Sequence, residues 1–153
     1  MLRARFAGLI LVASLLAFSC RKINDGDYYT RNRDMTGKQE VPRVWTSASG
    51  YFTFIYTPGS GKVRLDMHWE DLSSPITHAY IQGPAARGEN AGMLVDFSRK
   101  IDRGEEGEFT TKFFLNGTNQ LEGDLLAGRW YINIQTENYP KGEIRGQIEL
   151  KLK

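Results

Sequence analysis

The chain is poor in the residues that most often carry chemistry. It has one cysteine and two histidines in 153 residues. A lone thiol, Cys20, excludes an intramolecular disulfide framework. His68 and His78 are too few to make a zinc or copper centre by themselves, which takes three or four nitrogen or thiolate ligands. The longest apolar run, Phe6 to Phe18, falls short of the ~20 residues that cross a bilayer as a helix. There is no G-x-S-x-G elbow. Gly59-Ser60-Gly61-Lys62 matches only the tail of a phosphate loop, because Tyr56 stands where the first glycine belongs and Val63 replaces the hydroxyl residue. The acid pairs Glu70-Asp71 and Glu105-Glu106 are adjacent in sequence and point apart, whereas a glycosidase needs two carboxyls facing one bond. No catalytic set emerges, and the expected protein is not an enzyme.

What is present begins with an address. Arg3 and Arg5, the apolar run to Phe18 and the small Ser19 form an export signal over residues 1–19. Leu16-Ala17-Phe18-Ser19-Cys20 resembles a bacterial lipobox, which implies a mature chain that starts at an acylated Cys20. Several acyl chains give stable membrane attachment because burial adds per methylene. The implied partner is the membrane, through an N-terminal lipid anchor, and the implied location is the bacterial cell envelope, at the outer membrane. The leader holds two of the 20 Lys and Arg residues and none of the 18 acids, so residues 20–153 carry 18 of each. A neutral chain lacks the clustered basic face of a nucleic-acid binder, and no nucleic-acid partner is expected.

Residues 20–34 are polar and charged, with Ile23 as the only aliphatic residue, and read as a tether. From Met35 to Lys153 short strands alternate with turn residues, as in an all-β sandwich or barrel. A first strand is expected from Met35 to Pro42. Phe52, Phe54 and Tyr56 share one face of the next. Val63, Leu65, Met67 and Trp69 alternate with Arg64, Asp66, His68 and Glu70, a period of two that marks a half-buried strand. The same rule sets Thr77, Ala79 and Ile81 against Ile76, His78, Tyr80 and Gln82. Leu121–Ala127 is the one short helical stretch. Trp130, Ile132 and Ile134 then oppose Tyr131, Asn133 and Gln135. Glu143, Arg145, Gln147, Glu149 and Lys151 alternate with Ile144, Gly146, Ile148, Leu150 and Leu152.

Three segments in this order, Gln39-Glu40-Val41-Pro42, Gly83-Pro84-Ala85 and Gly142-Glu143-Ile144-Arg145-Gly146-Gln147, resemble the CHRD (chordin) domain family. The resemblance spans roughly Met35 to Leu150. It implies a single antiparallel, immunoglobulin-like Greek-key β-sandwich related to copper-zinc superoxide dismutases. Family members carry histidines in A-H-I-H-G-P-A and Y-V-N-V-H-T, and the matching positions here are Tyr80, Gln82 and Gln135. Carboxamides and a protonated phenol are weak ligands for zinc or copper, so no metal and no cofactor is expected. His78, Tyr80, Gln82 and Gln135 are instead a candidate binding patch outside the core.

The reading that follows is a lipid-anchored envelope protein with a non-enzymatic binding or structural role and an envelope protein or glycan as partner. An alternative is a metal-binding, redox-related protein using His78 or His68 with carboxylates. Two further readings are a carbohydrate surface made by Tyr80, Tyr131 and Tyr139, and calcium ligation by Glu89, Asn90 and Asp96 in the loop Ala85 to Asp96, although no twelve-residue calcium loop supports the latter.

Overall fold

The alternating segments become strands. In the computed structural model, which describes residues 23–153, β1 is Tyr28–Thr36, β2 Ser49–Thr57, β3 Lys62–Glu70 and β4 Ile76–Gln82. β5 is Met93–Asp96, β6 Gly107–Phe114, β7 Trp130–Thr136, β8 Ile144–Ile148 and β9 Lys151–Leu152. A single helical turn, α1 (Glu122–Leu126), buries Leu125. The export signal and Cys20 lie outside the described residues.

All strand pairs are antiparallel, in the order β5-β4-β7-β8-β1-β2-β3-β6, with β9 beside β1. The sheet curls until its two edge strands face each other. Phe97, which follows β5, meets Phe109 and Phe113 of β6 with ring centroids 5.5 and 6.1 Å apart. Consecutive strands pair directly in β1–β2–β3, β4–β5 and β7–β8, with a tight turn between β2 and β3 and longer loops elsewhere, while the β3–β4, β5–β6 and β6–β7 links cross between the two halves. This is a Greek-key arrangement, intermediate between sandwich and barrel.

The core is the expected one. Phe52, Phe54, Tyr56, Val63, Leu65, Met67 and Trp69 from one half meet Ala79, Ile81, Trp130, Ile132 and Ile134 from the other. Burying one such large side chain contributes about 1.5–3 kcal/mol. The indole of Trp69 is buried and donates to Gly104 O at 3.0 Å, so its one polar atom is satisfied. Glycines at 59 and 61 take φ of 76° and 68° in the β2–β3 turn, which confirms a hairpin where a phosphate loop was excluded.

Three expectations change. Residues 28–34 are not a tether, because they form most of β1, with Thr30 and Met35 buried and a bulge between Thr30 and Arg33. Ile23 and Asp27 ahead of them are buried as well. The first strand therefore ends at Thr36, and Gly37–Gln39 is a turn of 3₁₀ helix. Ile76 faces the core with Ala79 and Ile81, because a register shift between Ile76 and His78 turns it over.

Candidate functional site

β4 and β7 are neighbours, and their register sets His78 opposite Gln135, Tyr80 opposite Asn133 and Gln82 opposite Tyr131. Ala79, Ile81, Ile132 and Ile134 fill the core side, so the four candidate residues share the outer face. His78 is exposed, and Tyr80, Gln82 and Gln135 are half-buried. The His78 and Tyr80 rings stack, with centroids 5.4 Å apart and planes 26° apart. Asp96 lies across from Tyr80 on β5 and accepts a hydrogen bond from Ser98 N at 2.8 Å. Hydrogen bonding by Ser98 holds the Asp96 carboxyl below the usual range, aided by the charges of His78 and Arg99. Burial, then the Asp96 charge, pushes the Tyr80 phenol up.

The register also bears on metal binding. Gln82 sits four residues along β4 from the level of Gln135, about 13 Å at ~3.3 Å per residue. Ligands to one zinc each approach within about 2.3 Å. Positions 82 and 135 are the farthest apart of the three family positions. The compact trio is His78, Tyr80 and Gln135. His68 is on β3 in the other half, between Tyr51 and Glu108 on its neighbours, with its ring 5.0 Å from that of Tyr51. Among the described residues no three of His, Cys, Asp and Glu come together as a metal would need.

β8, where Arg145 and Gln147 alternate with Ile144, Gly146 and Ile148, is covered on its polar side as well. Tyr131, Asn133, Glu143, Arg145 and Gln147 are each at most 3% exposed, because residues 37–48 and 84–91 fold across β7 and β8. The segments that carry the family resemblance meet in this layer. Gln147 Nε2 donates to Ala85 O (3.0 Å) and Gly128 O (2.8 Å), while Gln147 N donates to Gln39 Oε1 at 3.2 Å. Arg145 donates to Glu89 O (2.8 Å), to Asn90 Oδ1 (3.4 Å) and to Gln147 Oε1 (3.1 Å). The cation held by the loop considered for calcium is thus the Arg145 guanidinium. Glu143 ties three segments together, accepting from Thr46 Oγ1 (2.7 Å), Ser73 N and Oγ (both 3.0 Å) and Thr136 Oγ1 (2.7 Å).

Glu40 closes the layer. Asn133 Nδ2 donates to its Oε2 at 3.4 Å, while Glu40 Oε1 and Asn133 Oδ1 are buried with no hydrogen-bond partner among the described residues. Burial, only partly opposed by the Arg145 charge, pushes the Glu40 carboxyl up to about 7. Gly142 makes room for these two side chains. Its φ is 140°, and a Cβ there would come within 2.5 Å of Glu40 Oε1 and 2.6 Å of Asn133 Nδ2. A cleft of about 190 Å³ opens beside Glu40 between Lys38–Val41 and Arg87–Gly88, floored by Arg145 and Gln147. Burial also removes Tyr131 from the proposed carbohydrate surface, since its hydroxyl is fixed at Ala91 N, 3.0 Å away.

A family model, the CHRD domain, matches residues 32–148. The chain belongs to the CHRD domain family. That match begins within β1, ahead of the segment from which the resemblance was read. Neither a curated protein nor a solved structure matches the chain. A CHRD domain is a β-fold binding or structural module in general terms, and here its shared motif residues build a buried polar layer. The four candidate residues on β4 and β7 share that face of the sheet, and the loops that bury Tyr131 and Asn133 leave these four partly or wholly exposed. The covering of the polar layer was missed because strand alternation cannot distinguish a polar face in water from one under loops. The one available signal was that three separate polar motifs belong to one family frame.

Proposed function

We propose that this CHRD domain is a lipid-anchored protein of the bacterial cell envelope, held at the outer membrane, that works without catalysis as a binding or structural module. The observation that carries the reading is the placement of Cys20: it follows an export signal directly and precedes by three residues a side chain, Ile23, that is already part of the folded domain. The absence of a catalytic reading is supported by the use to which the polar residues are put. Glu143, Arg145 and Gln147 take hydrogen bonds from, or give them to, the loops that cover them. Binding falls to exposed positions: the His78, Tyr80, Gln82 and Gln135 face, and Trp45, which is 78% exposed with the Arg43 guanidinium 4.2 Å from its ring centre. An aromatic ring with a cation over it suits an envelope protein or glycan partner.

The test is metabolic labelling with radioactive palmitate in a bacterial host, followed by membrane fractionation. The natural chain is expected to be labelled and membrane-bound, and Cys20→Ser to be unlabelled and soluble. An unlabelled natural chain in the soluble fraction would contradict the anchoring.

A further inference from the structure

Chain register fixes which end of the domain lies beside the start of β1. Tyr28 pairs with Leu152 of β9 and with Tyr56 of β2, Tyr56 pairs with Val63, and the neighbouring Lys62 pairs with Phe114 of β6. Leu121 belongs to the same end, because the carboxylate of Glu122 next to it acts on the Tyr56 hydroxyl. Phe114, Leu121 and Leu152 are 64%, 45% and 58% exposed, so half of the six large exposed hydrophobic side chains among the described residues gather here. The residues leading into β1 are fixed at this end too. Ile23 is buried, Lys153 Nζ donates to its carbonyl at 2.7 Å, and Lys153 N donates to Asp27 O at 2.9 Å.

Only Arg21 and Lys22 separate Ile23 from Cys20. Three extended residues span at most about 11 Å, so an acyl group on Cys20 cannot leave this end of the domain. We propose that this end rests on the lipid surface, with Phe114, Leu121 and Leu152 at headgroup depth and basic side chains on anionic lipid phosphates. The inference rests on the lipid anchoring of Cys20 proposed above. Charge fits the occupant: Lys62 and Lys151 flank the patch through their pairing with Phe114 and Tyr29, the nearby Asp25 and Asp124 are paired with Lys153 and Arg129, and the sequence that links Cys20 to Ile23 is Arg21-Lys22. Apolar side chains ringed by lysine bind an anionic interface by partial burial plus charge attraction, each too weak alone. Trp45, in the β1–β2 connection, and Gly104–Glu106, which precede β6, lie toward the opposite end and are directed away from the membrane.

The test uses the acylated full chain in vesicles of phosphatidylethanolamine and phosphatidylglycerol. Acylation consumes the Cys20 thiol, so Phe114→Cys, Leu152→Cys, Trp45→Cys and Glu106→Cys each offer one site for a nitroxide label. On vesicle-bound protein, collision with an aqueous nickel complex is expected to fall at least threefold at 114 and 152 relative to 45 and 106. Equal accessibility at all four positions on protein that floats with the vesicles would overturn the docking and leave the anchor standing. A natural chain that floats no better than Cys20→Ser would overturn the anchor and the docking together.

Discussion

The guanidinium carbon of Arg145 lies 3.5 Å from the centre of the Tyr131 ring, and both residues are about 1% exposed. A cation against an aromatic face away from water is worth about 2 kcal/mol or more. Arg145 also answers three acceptors, at Glu89, Asn90 and Gln147. Arg145→Met leaves these unpaired at about 1 kcal/mol or more each. The expected loss is about 3–5 kcal/mol in urea unfolding, with a coupling of about 1–2 kcal/mol to Tyr131→Leu in a double-mutant cycle. Additive losses would mean that the stacked pair contributes nothing.

Glu143 presents a different balance. Its carboxylate accepts from two threonine hydroxyls, the Ser73 hydroxyl and the Ser73 backbone N–H. Glutamine keeps the shape and replaces one acceptor oxygen with an N–H₂ donor. Glu143→Gln is therefore expected to lose about 2–4 kcal/mol, and Glu105→Gln, in an exposed turn, less than about 0.5 kcal/mol. Equal small losses in guanidinium unfolding would show that the Glu143 bonds do not hold the loops.

Burial pushes the Glu40 carboxyl up to about 7 in the folded chain, against an ordinary glutamate value of 4.5. Its neutral form is favoured by the fold, so the associated stability is fully present below pH 4.5, declines as pH rises and is gone above about 7. The distance between these two values bounds the effect at roughly 3 kcal/mol. Glu40→Gln stays neutral at every pH. The natural chain is expected to lose stability relative to this variant between pH 4.5 and 7.5, measured as the difference in unfolding midpoint, and a constant difference across that range would contradict the shift.

Where one face of a strand meets the core and the other meets water, alternation was enough to read the fold. Val63 to Trp69 fell in place for that reason, and the apolar residues of Phe52 to Tyr56 and Trp130 to Ile134 marked their core face although Tyr131 and Asn133, on the other side of β7, are buried under loops. β1 escaped because Arg31-Asn32-Arg33-Asp34 is polar and its burial is interrupted by a bulge, so the strand exists through pairing with β2, β8 and β9 rather than through its own pattern. Ile76 was turned over by a register shift that no local residue announces. The outer patch was legible, because His78, Tyr80, Gln82 and Gln135 do share a face. The enclosure of Arg145 and Gln147 was not, since it depends on loops more than 50 residues away in sequence.

Strand register makes a further statement about the outer patch. His78 stands opposite Gln135 and beside Tyr80, whereas position 82 is about 13 Å along from the level of 135. Tyr80→His with Gln135→His, which adds two imidazoles around His78, is expected to retain one zinc or copper ion per chain through dialysis, read by mass spectrometry. Gln82→His added to that pair is expected to change nothing. Metal retained only when position 82 is histidine would contradict the register.

The residues shared with the family hold loops onto the sheet, and amide hydrogen exchange in Arg145→Met tests this most directly. Exchange is expected to quicken at residues 84–92 and 37–48 while the amides of β2 and β3 keep their protection. Unchanged exchange at residues 84–92 would show that the buried polar layer does not fasten the loops and would contradict the account.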